Sequence, residues 1–426
     1  MKQSSTELMA EVVGAGYCRH PIRLYGETVN TVTGELRNRQ LHLPCKDRRE
    51  AVCPSCSYLY KADAWILVSA GLIGGKGLPE SVASHPRLFV TLTAPSFGAV
   101  HTHTNSGSCH PGQPTCVHGG RCRTRHADHD PLLGTALCPE CFDYAGAVLW
   151  NAACSKLWNR TVDWLRHRLA ATQGLSIEEF RTVAELSYLR IAEVQRRGLV
   201  HLHVVLRCDG PEGPASSSPA WLTASLVTQE LVRVLDDLEM PTSTDSVRWG
   251  AQRDIIDLTG ESESARVANY VAKYATKSAD GSTGLSMRFR SREQIERAAT
   301  DEHHRRLALA AWDLAARPEL ERLHLRDHAH ELGFTGQLLT KSRRFSTTFR
   351  ALRDARTAFM AAEHGDEPLL GTFGFVGRGY SDHRAEGVAQ MFHEMVVDLH
   401  QQRRARRLAE AGEGSGSPTA GLQQAG

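Results

Sequence analysis

The chain has 426 residues, enough for two or three domains with substantial cores. Its 50 Lys and Arg nearly balance 48 Asp and Glu, leaving a net charge of +2, so nucleic-acid binding would have to rest on local patches. With no run near the roughly 20 apolar residues that span a bilayer, and no apolar signal core behind Met1, the chain reads as cytoplasmic and free of membrane partners.

That compartment disfavours stable disulfides, so 11 cysteines point to metal binding. Residues 1–60 hold Cys18, Cys45, Cys53 and Cys56 with little periodicity, as a small metal-supported module would. A helix fits residues 58–72 and a strand 88–94, where Pro95 stops it. From His101 to Pro131 the chain is rich in Gly, Pro, His and Cys and reads as irregular loop. Apolar residues then recur at helical spacing from Pro139 to Ala171. Residues 181–194 and 199–207 read as two strands of a hairpin joined by Arg196-Arg197-Gly198. A Gly/Pro/Ser loop (210–219), a helix (220–238) and a strand (247–258) precede a helix carrying Tyr270 and Tyr274. Residues 290–331, 342–362 and 383–411 read as helical.

The stretch Leu199-Val-His-Leu-His-Val-Val-Leu-Arg207 is the most telling. In a strand, His201 and His203 share one face of the sheet. Burying two imidazoles without partners is costly, so the pattern asks for a metal, a charge or water. Glu193 lies eight residues before His201 and could complete a site for a divalent ion. Such a mixed N/O set tolerates Mn²⁺ and Zn²⁺, and Mg²⁺ less readily. Tyr270 and Tyr274 are four apart on one helix face, each followed by a lysine three residues on, Lys273 and Lys277. A free phenol has a pKa of about 10, and a nearby ammonium or metal favours the nucleophilic phenolate. Together these groups suit metal-assisted phosphoryl transfer through a tyrosine.

Three segments, in order, resemble the motifs of the HUH endonucleases, in particular rolling-circle replication initiators: Phe89-Val-Thr-Leu-Thr-Ala-Pro95, His201-Leu-His203 and Tyr270-Val-Ala-Lys-Tyr274. The phrases Thr-Leu-Thr-Ala-Pro-Ser-Phe-Gly, Asp-Tyr-Ala-Gly-Ala-Val-Leu-Trp-Asn-Ala and Thr-Lys-Ser-Arg-Arg-Phe-Ser-Thr-Thr look like initiators of actinobacterial plasmids and integrative elements. The resemblance runs from about Cys18 to about Arg356. It implies an α+β fold with a five-stranded antiparallel sheet flanked by helices, and the histidines on its central strand. It also implies Mg²⁺ or Mn²⁺ at the histidines, with Gln195 as rival to Glu193 for the third ligand, a 5′-phosphotyrosine intermediate and a free 3′-hydroxyl that a polymerase extends. Origin DNA, single-stranded or hairpin, would be the partner. No Gly-x₄-Gly-Lys-Ser/Thr loop occurs, so unwinding would fall to a host helicase. A relaxase or single-strand transposase would use the same chemistry. A zinc-ribbon DNA-binding regulator would use none of it.

Cys116, Cys122, Cys138 and Cys141 contain half of a zinc ribbon, with Cys109, His110, His118 and His126 as spare ligands. Cys18, Cys45, Cys53 and Cys56 could close a second structural zinc site. Pairing the two Cys-x₂-Cys knuckles, one from each set, is the alternative. Cys154 and Cys208 sit singly in apolar runs and read as buried thiols. Lys341, Arg343, Arg344 and Arg350, interleaved with Phe345 and Phe349, suit phosphate contacts and base stacking. The chain thus divides into an N-terminal Cys-rich zinc module (1–80) and a nicking domain (86–280) with a Cys/His-rich insertion at 101–141. A helical, basic, DNA-binding region (281–411) and a disordered tail (412–426) follow.

Overall fold

A computed structural model describes residues 5–50, 52–103, 107–112, 116–258, 285, 287–364 and 369–412. In chain order the elements begin with α1 (Ser5–Gly14), β1 (Ile22–Asn30), β2 (Leu36–Leu43), α2 (Pro54–Ile73), β3 (Arg87–Leu92) and α3 (Tyr144–Thr172). Next come α4 (Ile177–Val183), β4 (Glu185–Val194), β5 (Val200–Gly210), β6 (Gly213–Ser217), α5 (Ala224–Asp237), β7 (Met240–Pro241), β8 (Ser246–Val247) and β9 (Arg253–Asp257). The last are α6 (Arg292–Glu296), α7 (Glu302–Leu314), β10 (Leu339–Lys341), α8 (Phe349–His364), β11 (Leu369–Arg378) and α9 (His383–Gly412). They form two units, residues 61–359 and residues 1–60 with 360–426. No helix among the described residues is long and apolar enough to cross a membrane.

The larger unit is built on an antiparallel sheet of order β10-β4-β5-β3-β9, with β6 paired to the end of β5. The fold class is α+β as expected, but the sheet has six strands rather than five. The sixth arises because the chain folds back at Gly213, whose φ of 71° suits glycine, and pairs Ser217 with Asp209. The β4–β5 hairpin turns over Gly198 (φ 73°), where a Cβ would lie 2.2 Å from Leu307 Cδ1.

Every residue of β5 is buried, so its two faces belong to two cores. Val200, Leu202, Val204 and Leu206 join α3, α5 and α7 in the main core, where Trp150, Leu157 and Trp158 of α3 are fully buried. The opposite face carries Val205, which packs with Phe89, Leu189, Ile191, Leu67 and Phe345 in a smaller core. His201 and His203 share this second face, at the hairpin end.

Local chemistry moves several boundaries away from the sequence pattern. Residues 181–183 are helical, not extended, because Ser176 and Glu179 form a reciprocal capping box that starts α4. The helix expected from 342 begins only at Phe349, since Leu339–Lys341 pairs with β4. The C-terminal region is not purely helical either. In the smaller unit, β11 pairs with β1 in a sheet of order β11-β1-β2, and Leu8 and Val12 of α1 pack on Ala385 and Ala389 of α9.

At the far end of the histidine face, β5 carries Arg207 and Asp209, both fully buried. The Arg207 guanidinium donates to Asp209 Oδ1 at 2.6 Å and Oδ2 at 2.9 Å, and to the carbonyl of Phe345 at 3.0 Å. It also donates to the Gly71 carbonyl, while Arg87 donates to that of Leu72. Two guanidiniums therefore satisfy carbonyls that the last turn of α2 leaves without helical partners. Burial alone would raise the Asp209 carboxyl, but hydrogen bonds from His85 and Arg207 hold it below its usual range. Replacing Asp209 by Ala should strand a buried cation and destabilise the fold by about 3–5 kcal/mol, read from denaturant unfolding. A cost under about 1 kcal/mol would mean that hydrogen bonds to the carbonyls are enough to hold the Arg207 guanidinium in place.

Candidate functional site

The pleat register builds the histidine site. Glu193 on β4 stands directly opposite His201, and Thr91 on β3 stands opposite His203. The two imidazoles lie 4.6 Å apart between ring centroids, and both are buried. His203 Nε2 is 3.4 Å from Glu193 Oε2, and its Nδ1 is 3.4 Å from the Thr91 hydroxyl. Phe89 stacks parallel to the His203 ring. His201 Nδ1 is 2.8 Å from Gln195 Nε2, whose Oε1 accepts from Arg197 Nε at 2.9 Å. Both candidate third ligands therefore reach the pair, Glu193 on His203 and Gln195 on His201. The same row continues to Asp254, across from Thr91 on β9, an exposed carboxylate that no spacing rule singled out.

A divalent ion would fit between His203 and Glu193. Their 3.4 Å separation is long for a hydrogen bond and close to the edge spanned by two ligands at about 2.1 Å from one ion. The set is nonetheless looser than the cysteine clusters. Among the described residues, three Cys/His groups gather all their ligand atoms within 4.8 Å, and the histidine pair with Glu193 is not one of them. Tyr270, Lys273, Tyr274 and Lys277 lie outside the described residues.

The hairpin carrying Glu193 and Gln195 is held from several sides. Asn151 donates to the carbonyls of Gly198 and Leu332 and accepts from Val200 N. Arg197 donates to the carbonyls of Ala94 and Pro95. His303 of α7 lies 3.1 Å through Nε2 from the Arg197 carbonyl, to which it donates. Burial, foremost, pushes the His303 imidazole down to about 4.

The cysteines gather differently from the sequence grouping. Cys18, Cys45, Cys53 and Cys56 come together as expected, with Cys18–Cys53 and Cys45–Cys56 sulfur pairs each 3.7 Å apart. Sulfurs at about 2.3 Å from a tetrahedral zinc would stand about 3.8 Å apart. Among themselves these sulfurs compete for protons: hydrogen bonding, with Cys18 foremost, lowers Cys53 and raises Cys56. Pairing one knuckle from each set does not occur. Cys116, Cys138 and Cys141 meet with His118, whereas Cys122 joins His101, Cys109 and His126. Each of the three groups could hold a metal ion such as zinc. Spacing does not single out His101, which lies eight positions before Cys109 with no motif between. Cys154 is fully buried, its thiol pushed up to about 12 by burial, and Cys208 is raised in the same way; neither is a reactive group.

The basic segment is partly committed elsewhere. Lys341 is half-buried on β10, and Arg344 is bound to Glu185 at 3.0 Å. Arg343 and Arg350 are exposed. Phe345 is fully buried beneath the Arg207 guanidinium, 5.2 Å from its ring centroid, and so is not placed to stack on a base.

The family model described as the pSAM2 replication initiator protein (RepSA) matches residues 4–394. A replication initiator protein of Streptomyces ambofaciens is 39% identical over 364 residues, which cover 82% of this chain and 76% of that relative. No solved structure matches.

Folded His303 stays neutral to about pH 4, whereas an unfolded histidine protonates near 6.5, so protons bind the unfolded chain preferentially in between. Stability should therefore fall as pH drops from about 6.5 to about 4, this histidine contributing at most about 3 kcal/mol. His303→Gln should flatten that fall in denaturant titrations. An unchanged slope would remove His303 as its source.

Proposed function

Because the chain belongs to the RepSA family of replication initiators, we propose that it is the enzyme that nicks and rejoins single-stranded origin DNA to start rolling-circle replication of a plasmid or integrative element. The observation that carries this reading is the register of β4 on β5, which sets Glu193 opposite His201 with His203 on the same face. His201, His203 and Glu193, with Gln195 as rival to the carboxylate, would hold a divalent ion, Mg²⁺ or Mn²⁺. When bound, such an ion polarises a phosphate and fixes its position.

Tyr270 or Tyr274 supplies the nucleophile. Its phenol gives up a proton, the phenolate oxygen attacks the phosphorus in line, the bond to the 3′-oxygen breaks and that oxygen takes a proton from water, leaving a 5′-phosphotyrosine and a free 3′-hydroxyl. Lys273 and Lys277 lower the cost of the phenolate and of the charge on the phosphate. The new ester keeps the energy of the broken phosphodiester, so rejoining needs no ATP. The 3′-hydroxyl primes a host polymerase, and a host helicase supplies the unwinding. Arg343 and Arg350, exposed on the β10–α8 segment, offer phosphate contacts.

The test is a denaturing gel of the protein incubated with labelled single-stranded origin DNA and Mn²⁺ or Mg²⁺. A covalent adduct should form only with metal, persist in at least one of Tyr270→Phe and Tyr274→Phe, and vanish in the double variant. His201→Ala with His203→Ala should slow adduct formation on the order of a thousandfold. Tight, metal-independent binding with no adduct would leave a non-catalytic DNA-binding regulator. Nicking of a transfer origin or a transposon hairpin in preference to a replication origin would point to a relaxase or transposase.

A further inference from the structure

The insertion between β3 and α3 contains more ligands than one zinc ion needs, and they separate into two groups of four. We propose that His101, Cys109, Cys122 and His126 form a structural zinc site of their own, apart from the one at Cys116, His118, Cys138 and Cys141. Its metal would brace the β4–β5 hairpin. This inference stands without the nicking reading.

Four observations converge on it. First, two spacings match a tetrahedral ion, while a third, Cys109 Sγ to His101 Nδ1, is wider at 3.9 Å. His101 Nδ1 and His126 Nε2 are 3.2 Å apart, and Cys122 Sγ and His126 Nε2 are 3.4 Å apart. Ligands at zinc bond lengths would give about 3.3 Å for two nitrogens and about 3.5 Å for nitrogen and sulfur. Second, His126 Nδ1 donates to Asp130 Oδ2 at 2.6 Å, which in the neutral ring puts the lone pair on Nε2, facing Cys122 Sγ and His101 Nδ1. A carboxylate behind a histidine is the usual outer partner of a zinc-bound imidazole. Third, the Thr102 amide donates to Cys109 Sγ at 3.2 Å, as backbone amides do to metal thiolates. Fourth, two thiolates and one Zn²⁺ sum to no charge, which suits a group whose His126 side chain is fully enclosed. All four positions are filled by protein, so the site is structural rather than catalytic.

The ligands are wired to the hairpin. His101 exchanges backbone hydrogen bonds with Thr135 and Gly134. Gly134, at φ 83°, lies against the turn so closely that a Cβ would stand 2.6 Å from Arg196 Cβ. Arg196 in turn donates to the carbonyl of Asp128, inside the loop that runs from His126 to Asp130. A metal that pins His101 to His126 therefore fixes the surface on which Arg196 and Arg197 rest.

Elemental analysis of the purified full chain tests the count. Wild type should hold three zinc ions, one per group. Cys109→Ser and His126→Ala should each hold two, and His110→Ala, although His110 approaches Cys109 to 3.0 Å, should keep three. Two ions in wild type, or an unchanged count in both ligand variants, would overturn the site. Should those variants fail to fold, zinc X-ray absorption on wild type decides. The three groups supply nine sulfurs and three nitrogens, so the average shell should be three sulfurs to one nitrogen. A shell of seven sulfurs to one nitrogen, which the other two groups alone would give, would overturn it. Hydrogen exchange reads the brace: amides at 195–200 should exchange at least tenfold faster in His126→Ala, and unchanged protection would sink that part of the proposal.

Discussion

Strand β5 is buried along its whole length, and its two-residue period decides what lies on either side of the sheet. One face is aliphatic and meets α3. The other reads His201, His203, Val205, Arg207, Asp209, a face that is polar at both ends and apolar at the middle. Polar groups survive there only because each has a partner: the arginine has a carboxylate and helix carbonyls, and the histidines have Glu193, Gln195 and Thr91. A slip of one residue would drive these groups into the α3 core and leave valine and leucine in their place, so the register is strongly specified. The same constraint that secures the fold thus delivers the histidine pair to one edge of a packed core.

The two ends of that face do different work. The Arg207–Asp209 end ties α2 to the sheet by satisfying its terminal carbonyls, and closes over with Phe345. The histidine end rests on a short hairpin, held by Asn151, His303 and Arg197 from the surrounding elements. Placing ligand candidates on a strand and its neighbour, with the hairpin clamped, limits the freedom of the donor atoms, which is what a metal site needs.

The cysteine groups answer a different shortage. Residues 101–141 contain little regular structure and few large apolar side chains, so they cannot bury enough surface to order themselves. Coordination of a metal would supply that energy, and the insertion lies next to the hairpin whose turn it touches through Gly134. A metal at the N-terminal Cys₄ group would do the same for the smaller unit, where Cys18 packs with Cys53, Cys56 and Tyr380.

Much of this was legible in the chain itself. The strand period placed His201 and His203 on one face, and the carboxylate upstream proved to lie across from them, because a tight hairpin makes near neighbours in sequence neighbours in space. The N-terminal cysteine set was readable because residues 1–60 hold only four cysteines, although a pairing of knuckles across the two sets stood as an alternative. The larger insertion was not, since eight ligands within some forty residues allow many tetrahedra, and only the loop path separates Cys122 from Cys116. Nor could spacing show that Phe345 and Arg344 belong to the interior and to Glu185, or that β11 returns to pair with β1. The sequence alone determined the local periods, and with them the chemistry carried by each face. Tertiary structure decided which distant groups share a site, because ligand sets and sheet edges close through contacts between segments that no local pattern couples.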